Sequence, residues 1–298
     1  MKSISISRSK TFHNCPLQYK YTYVNRFEPE EEVHIDVTDK GLVLHQTFEN
    51  LLKYENYVNE EASMPHSVAD SKTVLAFFKE AMEENKLSEE VAKEFKLKRG
   101  LKRWLSFKHD YLDKNGHVMY AEKRYDQVLF GETKTTAILD LLEDCGNGNF
   151  IIYDYKTPKT ANPSQYKEQL ALYAYMMAVT KGIIAPESNE YEKVKEHFKL
   201  FVFFPLVDNE SETYEACLKE VKFTAKDVEN TVEGLKNTVA EIEAFNWEKP
   251  AEALQPAVMS FKCNWCKFRG SKPDPSIGFE GCPISCFCQP TDLKFKKA

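Results

Sequence analysis

The stretch FIIYDYKT, residues 150 to 157, runs from four apolar or aromatic residues straight into Asp154 and Lys156. Phe150 to Tyr153 have the β-branched and aromatic pattern of a strand covered on both faces. Residues two apart on a strand point to the same side, so Asp154 and Lys156 project into one cavity, a geometry suited to metal-assisted hydrolysis. The plainer alternative is a solvated strand end before the turn at Pro158. A second carboxylate, Asp140, ends the run TTAILD and stands on the neighbouring strand, where two acids can meet. Gln169 and Tyr173 lie one helical turn apart and share a face, either as site residues or as the polar border of an amphipathic core. His45 and Glu49, four apart, adjoin the apolar helix face of Leu44, Phe48, Leu51 and Leu52. A lone histidine there is more often structural or exposed than a ligand.

The bulk properties restrict what these residues serve. The 298 residues are enough for a large core, 42% are hydrophobic and 29% charged, and the net charge of −6 argues against a surface coated for nonspecific nucleic-acid binding. One local exception is the segment 93–110. Lys93, Lys96, Lys98, Arg99, Lys102, Arg103 and Lys108 alternate there with Phe95, Trp104 and Phe107. Such a run either follows a phosphate backbone or forms a solvated helix face. The longest apolar run, LFVFFPLV at 200–207, falls far short of a bilayer span. The N-terminus lacks the apolar centre of a secretory signal, so a reducing cytoplasm is expected and the eight cysteines call for a role other than disulfides.

Along the chain, Ser-rich capping residues precede a helix with Phe12, Cys15, Tyr19 and Tyr23 at helical intervals, interrupted near Pro16. Residues 55–115 read as a helical insertion that ends at Asn115-Gly116. Three strand-like runs follow, HVMYAEKRYDQVLF, TTAILDLLED and NFIIYDYK, and their short polar turns predict a meander. Asn162 and Pro163 predict the cap and first residue of the next helix. LFVFFPLV and TYEACLKEVKF read as two further strands. Thr224 and Asp227 cap a long scaffold helix carrying Val228, Val232, Leu235, Val239 and Ile242.

Taken in order, SISRSKTFHNCPLQYKY, GLVLH, AILD, DYKT and QLALY resemble the motif series of the PD-(D/E)XK nuclease superfamily. More narrowly they resemble its RecB-type branch, which includes AddB nuclease domains and the CRISPR-adaptation exonucleases. The resemblance spans nearly the whole chain. It implies a single α/β nuclease domain over 1–298, with a mixed central β-sheet flanked by helices in a restriction-endonuclease-like core. It also implies a DNA exonuclease acting on single-stranded ends in repair, recombination or replication, in company with proteins of those processes. A structure-specific endonuclease and a noncatalytic DNA-binding subunit are the alternatives. In the implied site His45, Asp140, Asp154 and the Tyr155 carbonyl hold Mg²⁺ or Mn²⁺, and Lys156 orients the nucleophile. Gln169 and Tyr173 line the substrate side. Glu122 falls where relatives often carry a glutamate, although its sequence favours an exposed strand residue.

Cys263-Asn-Trp-Cys266 has the two-residue spacing that lets two thiolates grip one metal centre, and Cys282, Cys286 and Cys288 follow. In iron-sulfur members of the resembled branch, one cysteine precedes the nuclease motifs and three follow. Cys15, Cys263, Cys266 and Cys282 match that split and imply a [4Fe-4S] cluster in a lobe of about 250–298 closed by the Cys15 segment. The loop before Cys282 is longer than in relatives. A zinc site of Cys263, Cys266, Cys282 and Cys286 is therefore the alternative. Cys145 and Cys217 read as buried free thiols.

Overall fold

The computed structural model describes residues 3–30, 36–55, 69–254, 263, 266–282 and 294–297. The chain divides into two compact units, one drawn from Met1–Ile35 and Leu235–Ala298, the other from Asp36–Gly234.

The first unit holds β1 (Ser3–Ile4), α1 (Ile6–Asn14), α2 (Pro16–Tyr19) and β2 (Phe27–Pro29). Ser5 caps α1 by accepting from the Arg8 amide, and Cys15 separates the two helices, its sulfur accepting from the Gln18 amide at 3.4 Å. The helix therefore breaks where Pro16 removes a donor and supplies the first residue of a new turn.

The second unit contains α3 (Asp36–Glu55), α4 (Ser71–Glu84), α5 (Glu89–Glu94), α6 (Leu97–Phe107) and α7 (Asp113–Asn115). After these come β3 (Val118–Phe130), β4 (Thr133–Gly146), β5 (Asn149–Tyr155), α8 (Lys167–Thr180), α9 (Tyr191–His197), β6 (Phe198–Phe203) and β7 (Leu218–Glu220). α10 (Ala225–Ala244) begins in this unit, and α11 (Ala251–Leu254) and β8 (Phe295–Lys297) return to the first, where β8 pairs antiparallel with β2.

β3, β4 and β5 form the expected meander, β5 pairs parallel with β6, and β6 pairs antiparallel with β7, so the central sheet is mixed and flanked by helices. This is the restriction-endonuclease-like α/β class. The Asn147-Gly148 turn between β4 and β5 has both residues at positive φ, the backbone a two-residue hairpin needs to match the strand twist. That turn fixes Leu141 opposite Tyr153, which makes Asp140 and Asp154 the next pair in the register.

Helices α3 and α6 bury Phe48, Leu51, Trp104 and Phe107 with Tyr153, Tyr155 and Phe203 of the sheet. The Phe48 and Trp104 rings stack at 4.7 Å. Each such ring contributes about 1.5–3 kcal/mol by leaving water, so α3 and β5 are held in one place relative to each other.

Two elements depart from the sequence reading. Asn162 makes no capping hydrogen bond and instead accepts from Ser164, so Pro163 opens a 3-10 turn and α8 begins at Lys167. The stretch TYEACLKEVKF is a 3-10 turn followed by a strand of three residues. Among the described residues, no helix is long and apolar enough to cross a membrane.

Candidate active site

β3, β4 and β5 set three carboxylates in a row. Ala121 and Lys123 pair with Leu141 and Leu139, which leaves Glu122 facing Asp140, and Asp154 stands across from Asp140 on the other side. Directly opposed residues share a face of the sheet. Glu122 adopts φ 45°, a left-handed backbone that is uncommon for a side chain other than Gly, Asn or Asp. Such strain in mid-strand persists only where packing enforces it, and it gathers at functional sites.

Helix α3 brings His45 over this row. Its Nδ1 lies 3.4 Å from Asp140 Oδ1 and 3.7 Å from Glu122 Oε1, while Nε2 donates to the Tyr155 carbonyl at 3.1 Å. Asp140 Oδ2 accepts the Tyr155 amide at 2.5 Å. Lys156 Nζ is 2.6 Å from Asp154 Oδ2, an ion pair lacking the alignment of a hydrogen bond. From α8, Gln169 Nε2 donates to Asp154 Oδ1 at 3.2 Å and reaches the Tyr173 hydroxyl at 2.8 Å. Tyr166, unmarked in the sequence, holds its ring 5.3 Å from the Lys156 ammonium.

The ionisation of the cluster follows from burial opposed by pairing. Asp140 and Asp154 are 9% and 2% exposed. Burial raises Asp154 to about 6, and Lys156 only partly offsets it while Asp140 adds to it. For Asp140 the burial penalty is outweighed by His45 and Lys156, which hold it below the usual carboxylate range. Burial lowers His45, but Asp140 and Glu122 overcome this and carry it to about 10, so without metal it is an imidazolium. Burial likewise opposes charge on Lys156, and Asp154 and Asp140 raise it nonetheless. Burial also raises Glu122.

His45, Glu122 and Asp140 present ligand atoms within 4.8 Å of one another. Two carboxylates and an imidazole, with Asp154 and a backbone carbonyl adjacent, fit a hard divalent cation. The His45 proton stands where such a cation would neutralise the same acids. Glu122 is the residue the sequence reading undervalued. Counting back from the Gly131 turn alone would set it opposite Leu141; an irregularity between Val128 and Phe130 shifts the register by one and sets it opposite Asp140. A second trio, His117, Glu143 and Cys145, also converges within 4.8 Å. There the Glu143 carboxylate already accepts from Tyr153, Asn115 and His117, which makes it an internal network.

The basic run 93–110 is largely consumed within the unit. Arg103 and Lys108 are 1% and 0% exposed, Arg103 on carbonyls of the 205–211 loop and Lys108 on Asp113. Lys96, Arg99 and Lys102 pair with Asp208, Glu210 and Glu212. Trp104 and Phe107 are core, and Phe95 alone of the three aromatics stays partly exposed.

The profile of the PD-(D/E)XK nuclease superfamily matches residues 3–271. The chain belongs to this superfamily. PD-(D/E)XK nucleases are hydrolases that use divalent metals and act on nucleic acid, and the carboxylate row with His45 is this chain's candidate metal group. A comparison with curated proteins gives no match. A solved structure described as "Crystal structure of SSO0001" is similar at 13% identity and a TM-score of 0.31, covering 87% of this chain and 91% of that one.

In the first unit, burial raises the Cys15 thiol, and the charges of Cys282 and Cys263 add to this. Cys266 is pushed to about 12 by burial and then by Cys15, Cys282 and Cys263. The four sulfurs thus feel one another across a half-buried region, while Cys286 and Cys288 lie outside the described residues. Cys217 is fully buried, as its sequence reading held, and Cys145 is partly buried.

Proposed function

We propose that the chain is a Mg²⁺- or Mn²⁺-dependent deoxyribonuclease of the RecB/AddB-type branch, an exonuclease that degrades DNA from single-stranded ends in a reducing cytoplasm during repair, recombination or replication. The convergence of Glu122, Asp140, Asp154, His45 and Lys156 at one end of β5 carries the nuclease reading; the preference for ends comes from the resemblance. His45, Asp140, Asp154 and the Tyr155 carbonyl hold the cation, with Glu122 as a further carboxylate. When bound, the metal supplies an activated water and stabilises charge on the phosphodiester. Lys156 orients the water and adds positive charge in the transition state, and its pairing with Asp154 keeps the ammonium pointed at the reacting atoms. Gln169 ties Asp154 to Tyr173, and these two residues face the substrate.

Linear single strands labelled at either end, and circular single strands, distinguish the activities. The expected result is Mg²⁺-dependent loss of linear DNA from one end with the circle intact. Cleavage of the circle would replace the exonuclease with an endonuclease, and binding without cleavage of either would leave a noncatalytic subunit.

Cys15, Cys263, Cys266 and Cys282 are proposed to ligate a [4Fe-4S] cluster in a cysteine-rich lobe of about 250–298 closed by the N-terminal segment. Burial and the neighbouring cysteines hold the Cys15 and Cys266 thiols above their ordinary range, and a cationic centre that takes them as thiolates would offset both effects. Anaerobically purified protein is expected to contain iron and sulfide in equal amounts, about four of each per chain. Zinc without iron would instead establish a structural zinc site.

A further inference from the structure

Lys40 in α3 is only 6% exposed. Among the described residues no carboxylate pairs with it; its ammonium sits 4.2 Å from the Phe95 ring centroid. A second lysine, Lys159, lies over the same ring at 6.0 Å, is exposed, and likewise has no acidic partner among the described residues. This contrasts with the neighbouring cations Lys96, Arg99 and Lys102, each of which has an acid within 4.0 Å. Burial, and after it the charge of Lys159, holds Lys40 below the ordinary lysine range. A buried cation facing a like charge costs free energy unless an anion is supplied from outside.

The position of the pair indicates which anion. Lys159 follows Lys156 by three residues, and Lys40 precedes His45 by five in one helix, about 7.5 Å along its axis at 1.5 Å per residue. That distance is on the order of the step from one phosphate to the next along a strand, whose backbone is longer than the 3.4 Å axial rise per base of a duplex. The backbones of these segments approach closely, since a Cβ on Gly41 would lie 3.4 Å from the Thr157 hydroxyl. Beside this pair, Phe95 and Lys159 line a cleft of about 90 Å³ with Lys96, Arg99, Glu94 and Asp208, which Lys40 itself does not line.

We propose that Lys40 and Lys159, held together by Phe95, form a phosphate-binding step that grips the backbone of a nucleic-acid strand within one or two nucleotides of the hydrolysed bond. The identity of the anion rests on the nuclease reading above. Phe95 spaces the two ammonium groups through its negative face, and the strand's phosphate takes the place of the missing acid. The grip carries no base preference, because it reads only backbone charge.

The test measures binding of a fluorescein-labelled single-stranded oligonucleotide by anisotropy in EDTA, over a series of salt concentrations, for the wild type, Lys40→Met and Lys159→Met. Each variant is expected to bind about five- to tenfold more weakly, with the slope of log K against log salt reduced by about 0.7, the value for neutralising one phosphate fewer on a single strand. Lys40→Met is also expected to melt higher than the wild type, because it removes the unpaired buried charge. Lys159→Met, at an exposed position, reports on the site even if Lys40→Met fails to fold. Unchanged affinity and slope in the variants overturn the proposal, as does absence of oligonucleotide binding by the wild type at low salt. Mg²⁺-dependent cleavage by the wild type is scored separately. Cleavage without a slope change removes the phosphate step and keeps the nuclease, whereas a slope change without cleavage does the reverse.

Discussion

Asp154→Ala is expected to lower Mg²⁺-dependent DNA degradation by at least about 10³-fold, and Lys156→Ala by about 10²- to 10³-fold, with both proteins folded by circular dichroism. The two losses differ in kind. On the proposed ligand set, loss of Asp154 removes a ligand from the cation, so excess Mn²⁺ is expected to restore part of the rate. Without Lys156 the buried Asp154 loses the ammonium that opposes its burial, and its carboxylate titrates at still higher pH. The acid limb of the Lys156→Ala rate profile therefore moves toward alkaline pH. In the wild type, Asp154 takes up a proton as pH falls through about 6, and His45, raised to about 10, must release one to accept a metal. Both effects have the same sign: metal affinity rises with pH, and activity at subsaturating Mg²⁺ falls on acidification. Full activity in both variants would remove Asp154 and Lys156 from the chemistry.

Arg103→Ala is expected to destabilise the second unit by about 3–5 kcal/mol, far more than loss of a surface charge. The Arg103 guanidinium donates at 2.6–2.9 Å to the carbonyls of Pro205, Val207, Asn209 and Ser211 and to the Asn209 side chain. Its truncation takes the donor from the buried Pro205 carbonyl and from the Ser211 carbonyl, and leaves Val207 and Asn209 with one donor fewer each, the Asn209 amide, Arg99 and the Ser211 amide being what remains to them. Lysine does not substitute, because three donors on one nitrogen cannot span five acceptors set around a planar fork. The loop so held also accepts the chain leaving β5, with the Asp208 amide donating to the Lys159 carbonyl at 2.8 Å. Arg103→Lys is therefore expected to lower activity as well as the urea midpoint. A stability change below about 1 kcal/mol for Arg103→Ala would refute this account.

Asp154 and Lys156 were legible because a β-branched run has few reasons to end in two charges; Asp140, expected at the end of its run, instead lies in the middle of β4 with Leu139, Leu141 and Leu142 around it, a lone acid in an apolar strand. The helix face of Leu44, Phe48, Leu51 and Leu52 was readable from its period, and all four are buried. Glu122 was marked only by the resemblance, since its place opposite Asp140 depends on a register shift and a left-handed residue inside the strand, and no periodicity reports either. The charges of 93–110 misled for another reason. Composition cannot distinguish an arginine facing solvent from one facing four carbonyls, and Arg103 is the second kind. Nothing in the sequence marks Lys40. Only the absence of an acid around it, among the described residues, sets it apart.

The first unit joins segments far apart in the chain. The Tyr21 hydroxyl donates to the Gly281 carbonyl at 2.6 Å across 260 residues of sequence, Lys20 pairs with Glu280, and β2 pairs with β8. At roughly 5–20 residues per second of synthesis, Tyr21 waits on the order of 13–50 s for its partner to be made. Residues 36–234 are all synthesised in that interval, before Cys263 exists. The lobe holding Cys15 and Cys282 is therefore a late event in the life of each molecule, completed only after every strand of the nuclease sheet has been made.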